Sequence, residues 1–110
     1  MKLAVFGSRG IEIKELEKYL PEGVSEIVSG GAKGADSDAA RYAREKGLKL
    51  TEFLPEYERY GRGAPLKRNH KIVEYADEGL AFWDGKSKGT KYTVELFKKS
   101  KKKITVISVS

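Results

Sequence analysis

The sequence predicts an α/β protein with a Rossmann-like three-layer fold around a mainly parallel sheet of about five strands. Two patterns predict it. Short apolar runs alternate with stretches whose apolar residues recur at three- and four-residue spacing, the signature of repeated strand–helix–strand units. Glycines, hydroxyls and cations also gather just after the apolar runs, at the edge where such sheets bind ligands. At 110 residues the chain is long enough for one core, so a single domain over residues 1–110 is expected.

The elements follow in order. Leu3-Ala4-Val5-Phe6, closed by Gly7, reads as a buried strand, and so does Glu26-Ile27-Val28-Ser29, closed by Gly30-Gly31. Between them Ile13, Leu16 and Leu20 have the spacing of an amphipathic helix that Pro21-Glu22-Gly23 stops. From Gly34 to Lys46 the stripe Ala35, Ala39, Ala43 predicts a helix lying close on the sheet and ended by Gly47. Leu48 to Phe53 alternates like an edge strand, and Pro55 closes it. Residues 56–65 read as a loop. Leu66, Val73 and Ala76 then mark a helix, Gly79 to Trp83 a buried strand, Val94 and Phe97 another helix, and Lys103 to Val109 a last, β-branched strand.

Composition narrows the chemistry. Hydrophobic residues at 39% and charged ones at 35% describe a globular chain with an ionic surface. No apolar run nears the ~20 residues that span a bilayer, and the first apolar run is too short for a signal-peptide core, so no membrane partner and a cytoplasmic location are expected. The absence of cysteine excludes disulfides, thiolate metal sites and cysteine nucleophiles, and a single histidine excludes a histidine-rich metal site. No metal and no cofactor are expected. The net charge of +6 is compatible with an anionic partner, but five lysines between Lys98 and Lys103 make the excess partly local, and a Lys- and Glu-rich surface also suits heat-adapted proteins.

Three loops after strands carry candidate chemistry. Ser29, Gly30, Gly31, Lys33 and Gly34 lie between a strand and a helix, where missing side chains let backbone N–H groups approach an anion. The segment is neither a GxGxxG fingerprint nor a Walker loop, and a ligand-free tight turn is the alternative. Asp84-Gly85 leads to Lys88-Gly89-Thr90, in which Thr90 reads as a helix N-cap and Gly89 permits close approach of a phosphate oxygen or ribose; plain capping is the alternative. Gly7, Ser8 and Arg9 follow the first strand, where a hydroxyl and a guanidinium fork can bind phosphate. Asp36 lies in a first helical turn and equally suits the helix dipole, ribose binding or catalysis. Tyr57, Arg59, Tyr60 and Arg62, with Gly61 and Gly63, have the makeup of a lid, while His70 reads as a surface or packing residue.

Together, Gly7-Ser8-Arg9, the segment from Ser29 to Asp36, Tyr60-Gly61-Arg62, Lys67-Arg68-Asn69 and the segment from Phe82 to Thr90 span nearly the whole chain in order. In that combination the chain resembles the SLOG superfamily, specifically its YspA-like branch. The resemblance implies a Rossmann-like domain that senses or processes nucleotide-derived ligands, related to the DNA-processing protein A family and the Lonely Guy phosphoribohydrolases. The segment from Ser29 to Asp36 and Arg68-Asn69 resemble the DNA-processing proteins, which bind single-stranded DNA, and Arg68 also falls where the phosphoribohydrolases carry an active-site arginine, so the resemblance implies a binding role for both residues. Those enzymes have Pro-Gly-Gly-x-Gly-Thr with a glutamate two or three residues on. Here those positions are Tyr92 and Thr93, and Trp83-Asp84 stands where they have an apolar residue and proline. Glu95 would be rotated by roughly 200° from the family's glutamate.

The resulting expectation is a nucleotide or nucleotide-derivative sensor or binding module, with a phosphate and ribose cradle at the carboxyl edge of the sheet. A nucleoside-monophosphate N-glycosidic hydrolase is the alternative. Its oxocarbenium-like state wants a carboxylate, and Asp36, Asp84 and Glu95 are the available ones, with Arg68 beside them as a further catalytic candidate. Single-stranded DNA binding, resting on the charge, is a third, and self-association into a homo-oligomer would lengthen its short track.

Overall fold

A computed structural model of the chain describes residues 1–31 and 35–109. Five strands, β1 (Lys2–Gly7), β2 (Glu26–Ser29), β3 (Lys49–Glu52), β4 (Glu78–Trp83) and β5 (Ile104–Ser108), form one sheet in the order β3-β2-β1-β4-β5. Every pairing is parallel. The helices are α1 (Ala35–Lys46), a single turn α2 (Tyr57–Tyr60), α3 (Ala64–Tyr75) and α4 (Lys88–Lys99). Strand order runs outward from β1 through β2 to β3, then returns to β4 on the other side of β1. The order therefore reverses between β1 and β4, the place where open α/β sheets leave a crevice beyond their carboxyl ends.

Alternation along each strand divides the core in two. Leu3 and Val5 of β1, Ile27 of β2, and Leu80 and Phe82 of β4 pack with Ala35, Ala39 and Ala43 of α1. Ala4 and Val28 face the other way, onto Ile72 and Val73 of α3, Ala76 just beyond it, and Phe97 of α4. The three-layer expectation thus holds, and the alanine stripe does what its spacing implied: with no bulk at three successive turns, α1 lies directly on the sheet. Gly47 ends α1 in the left-handed region, φ 70°, while Leu48 N–H donates to the Ala43 carbonyl at 2.8 Å. On the opposite face Gly79 makes room for the Phe97 ring, whose atoms would lie 2.9 Å from a Cβ at that position.

Three local expectations are corrected. The segment from Ile13 to Leu20 is not an amphipathic helix; it forms only a 3-10 turn, Leu16–Tyr19. Glu15 adopts φ 56°, a left-handed conformation that interrupts helical propagation, and the Ile13 N–H is engaged by Asp38 Oδ2 at 2.6 Å. Ile13 and Leu16 are nonetheless buried, so the apolar spacing recorded burial without a helix. Residues 56–65 are not an open loop, since α2, a 3-10 turn over Gly61–Gly63 and the start of α3 occupy them. Finally, the N-cap of α4 is Ser87 rather than Thr90: Ser87 Oγ accepts the Thr90 N–H at 3.3 Å. Among the described residues no helix is long and apolar enough to cross a membrane.

Candidate functional site

A cavity of about 760 Å³ opens at the carboxyl ends of β1 and β2, within the roughly 300–1,000 Å³ of small-molecule sites. Gly7 and Arg9 enter it from the end of β1, Gly30 and Gly31 from the end of β2, and Asp36 from the first turn of α1. Arg68 and Asn69 of α3 line it on the far side, with Gly89 and Thr90 of α4. The Lys33 and Gly34 of the predicted cradle lie outside the described residues.

Arg68 organises this cavity. Its guanidinium is half-buried, donates from Nη1 to the Gly30 carbonyl at 2.5 Å, and donates from Nε to Asn69 Oδ1 at 2.7 Å. Burial lowers its pKa from the usual arginine value, while the charges of Asp36 and Tyr57 pull the other way. An arginine remains cationic across such a shift. Its other N–H groups make no hydrogen bond among the described residues and are available to an anion. Asp36 is itself buried, at the start of α1, close enough to act on that charge.

The glycines of the wall differ in purpose. A Cβ on Gly7 would lie 2.6 Å from the Phe82 carbonyl oxygen and 3.0 Å from Ala35 Cβ, so this position lets β1, β4 and α1 converge. Gly31 sits at φ 71°, where side chains are strained, and a Cβ there would also overlap Leu54. Gly89, in contrast, lines the cavity and has open space where its side chain would be.

Four of the predicted residues shape the walls without lining them. Ser8 is buried, and its Oγ accepts the Asp84 N–H at 3.2 Å, pinning the end of β1 to the turn after β4. Ser29 Oγ accepts the Gly31 N–H at 3.2 Å, a local turn bond. Asp84 Oδ1 accepts from Lys86 N–H and Ser87 N–H, both at 2.8 Å, and these donors hold its carboxyl below the usual range. Gly85, at φ 82°, supplies the left-handed residue inside that Asp84 turn. Lys88 and Glu95 do not reach the cavity; they border a separate groove between α3 and α4, where Glu95 pairs with Lys98 at 3.9 Å.

Sequence reasoning passed over the apolar wall. Phe6, Pro55, Pro65, Leu66 and Ile72 line the cavity beside Tyr57, which is 58% exposed. Thr93 and Ser87 line it too. The S-x-x-T spacing of Ser87 and Thr90 could have identified the cap, and Thr93 lies one helical turn after Thr90.

Comparison with known proteins adds three findings. The sequence model of the YspA, cpYpsA-related SLOG family matches residues 1–60. The chain is 40% identical over 72 residues to the Gene 61 protein of Mycobacterium phage D29, an alignment that covers 60% of this chain and 58% of that protein. The chain thus spans less than two thirds of that relative's length. No solved structure matches the chain.

Proposed function

The chain belongs to the YspA, cpYpsA-related SLOG family, and from that premise we propose that it binds a nucleotide or nucleotide-derived ligand in the cavity at the carboxyl edge of the sheet, as a sensor or binding module. One observation carries the reading: two arginines, Arg9 and Arg68, and the glycines of two turns border one open cavity at the reversal of strand order. A phosphate fits the Arg68 fork and the first turn of α4, where Gly89 leaves backbone accessible. The apolar wall of Pro55, Tyr57, Pro65 and Leu66 offers a flat face to a base or similar ring.

Isothermal titration against AMP, ADP-ribose and NAD tests it. At least one should bind, and Gly31→Asp, which puts a strained side chain and a negative charge into the cavity wall, should abolish that binding while circular dichroism stays native. Failure of all three ligands to bind overturns the reading.

A second reading has one specific observation behind it. Of the three carboxylates that sequence reasoning offered for N-glycosidic hydrolysis, Asp36 lines the cavity, whereas Asp84 holds its own turn and Glu95 borders the other groove. A carboxylate beside the sugar can stabilise an oxocarbenium-like state. Incubation with nucleoside monophosphates would then release free base, and Asp36→Asn would stop the release.

A further inference from the structure

Gly30 and Gly31 are adjacent, yet the reasons for their missing side chains differ. Gly31 has a left-handed backbone; Gly30 does not, so conformation gives no reason for a glycine there. Instead the three nearest atoms to a Cβ at Gly30 all belong to Arg68: it would overlap Nη1, lie 2.8 Å from Cζ and 3.1 Å from Nε. The guanidinium therefore lies over the position a side chain would fill. Two hydrogen bonds hold it there, one to the Gly30 carbonyl and one to Asn69 Oδ1.

We infer that Gly30 and Asn69 are positioning residues for Arg68: the glycine is the seat in which the guanidinium lies, and the asparagine amide fixes the plane of its fork. Gly30 then acts on a ligand through the arginine rather than by direct backbone approach. The seat itself is independent of what the cavity binds, while its effect on affinity rests on the nucleotide-binding reading. Because the clash would fall on the far end of a flexible side chain, Gly30→Ala expels the guanidinium without breaking the fold. Its consequences should copy those of Arg68→Ala.

Two measurements decide this. Phenylglyoxal labelling of Arg68, followed by peptide mass spectrometry without ligand, should be several-fold faster in Gly30→Ala and in Asn69→Leu than in the wild type; equal rates would overturn the seat. Titration with AMP and with adenosine then compares the wild type, Gly30→Ala, Arg68→Ala and the double variant. Each single variant should lose about tenfold or more in AMP affinity while adenosine changes less than twofold, and the double should bind no more weakly than Arg68→Ala. Multiplying losses in the double variant would mean that Gly30 contacts the ligand directly, against the inference. A wild type that binds no AMP counts against the nucleotide reading, and the labelling rates still decide the seat.

Discussion

The two ends of the same sheet are built on opposite plans. At the amino end, polar groups are consumed by one another. Lys2 N–H donates to Asp77 Oδ2 at 2.8 Å, and the buried Glu26 carboxylate accepts from Tyr75 Oη at 2.5 Å and Thr51 Oγ1 at 2.7 Å. The Lys102 ammonium donates to the carbonyls of Val73, Glu74 and Ala76, closing the end of α3. At the carboxyl end the strands stop in glycine turns, and Arg9 and Arg68 border an open cavity. One end uses its polar groups to hold the elements together, and the other, beside ties such as Ser8 to Asp84, sets two arginines at the border of a space. Substitutions at the first should lower stability, while substitution of the cavity arginines at the second should lower affinity with little change in melting.

The largest expected stability loss is at the amino end. Glu26→Ala leaves two hydroxyls without their buried acceptor and should destabilise by about 2–3 kcal/mol, measured by urea unfolding. Its acid limb adds a test. Burial raises the Glu26 pKa, but hydrogen bonds from Tyr75 and Thr51 and the nearby lysines outweigh it, leaving the pKa below the ordinary glutamate value. A depressed carboxyl contributes stability that is fully present above its unfolded pKa, about 4.3, and lost as pH falls through the folded value. Glu26→Gln should therefore flatten the fall in stability below about pH 4.3 relative to the wild type.

Lys102→Ala follows, at about 1–2 kcal/mol, because it removes a charged donor shared by three carbonyls at a helix end. A melting temperature that does not move would show the amino end to be less dependent on its polar ties than the comparison requires. Ser87→Ala, at the boundary of the cavity, should lose about 1 kcal/mol through its cap alone. The smallest shift belongs to Arg68→Ala, under about 1 kcal/mol in unfolding, together with a tenfold or greater loss of AMP affinity. If it instead melted like Glu26→Ala, Arg68 would belong with the structural ties, and the contrast between the two ends would fail.

Legibility in the sequence divides along physical lines. Buried strands and the alanine stripe of α1 were readable because burial on both faces of a parallel sheet leaves continuous apolar runs, and close packing demands small residues at a helical period. The cavity-facing glycines and Arg9 were readable as residue types following strands, and Arg68 and Asn69 rested on family resemblance. Their division of labour was not. That Ser8 and Asp84 hold each other, or that Gly30 yields its space to a residue 38 positions later, depends on contacts distant in sequence. Glu15 misled for a related reason: its left-handed backbone leaves no trace in a pattern of apolar spacing.

The hold of Lys102 on the end of α3 has a consequence for assembly. The helix that carries Arg68 is fastened at its far end by a side chain 26 to 29 positions further on, just before β5. That end of α3 therefore gains its capping donor only once residue 102 is in place, whereas Arg68, nearer the other end of the helix, is held by the Gly30 carbonyl and Asn69.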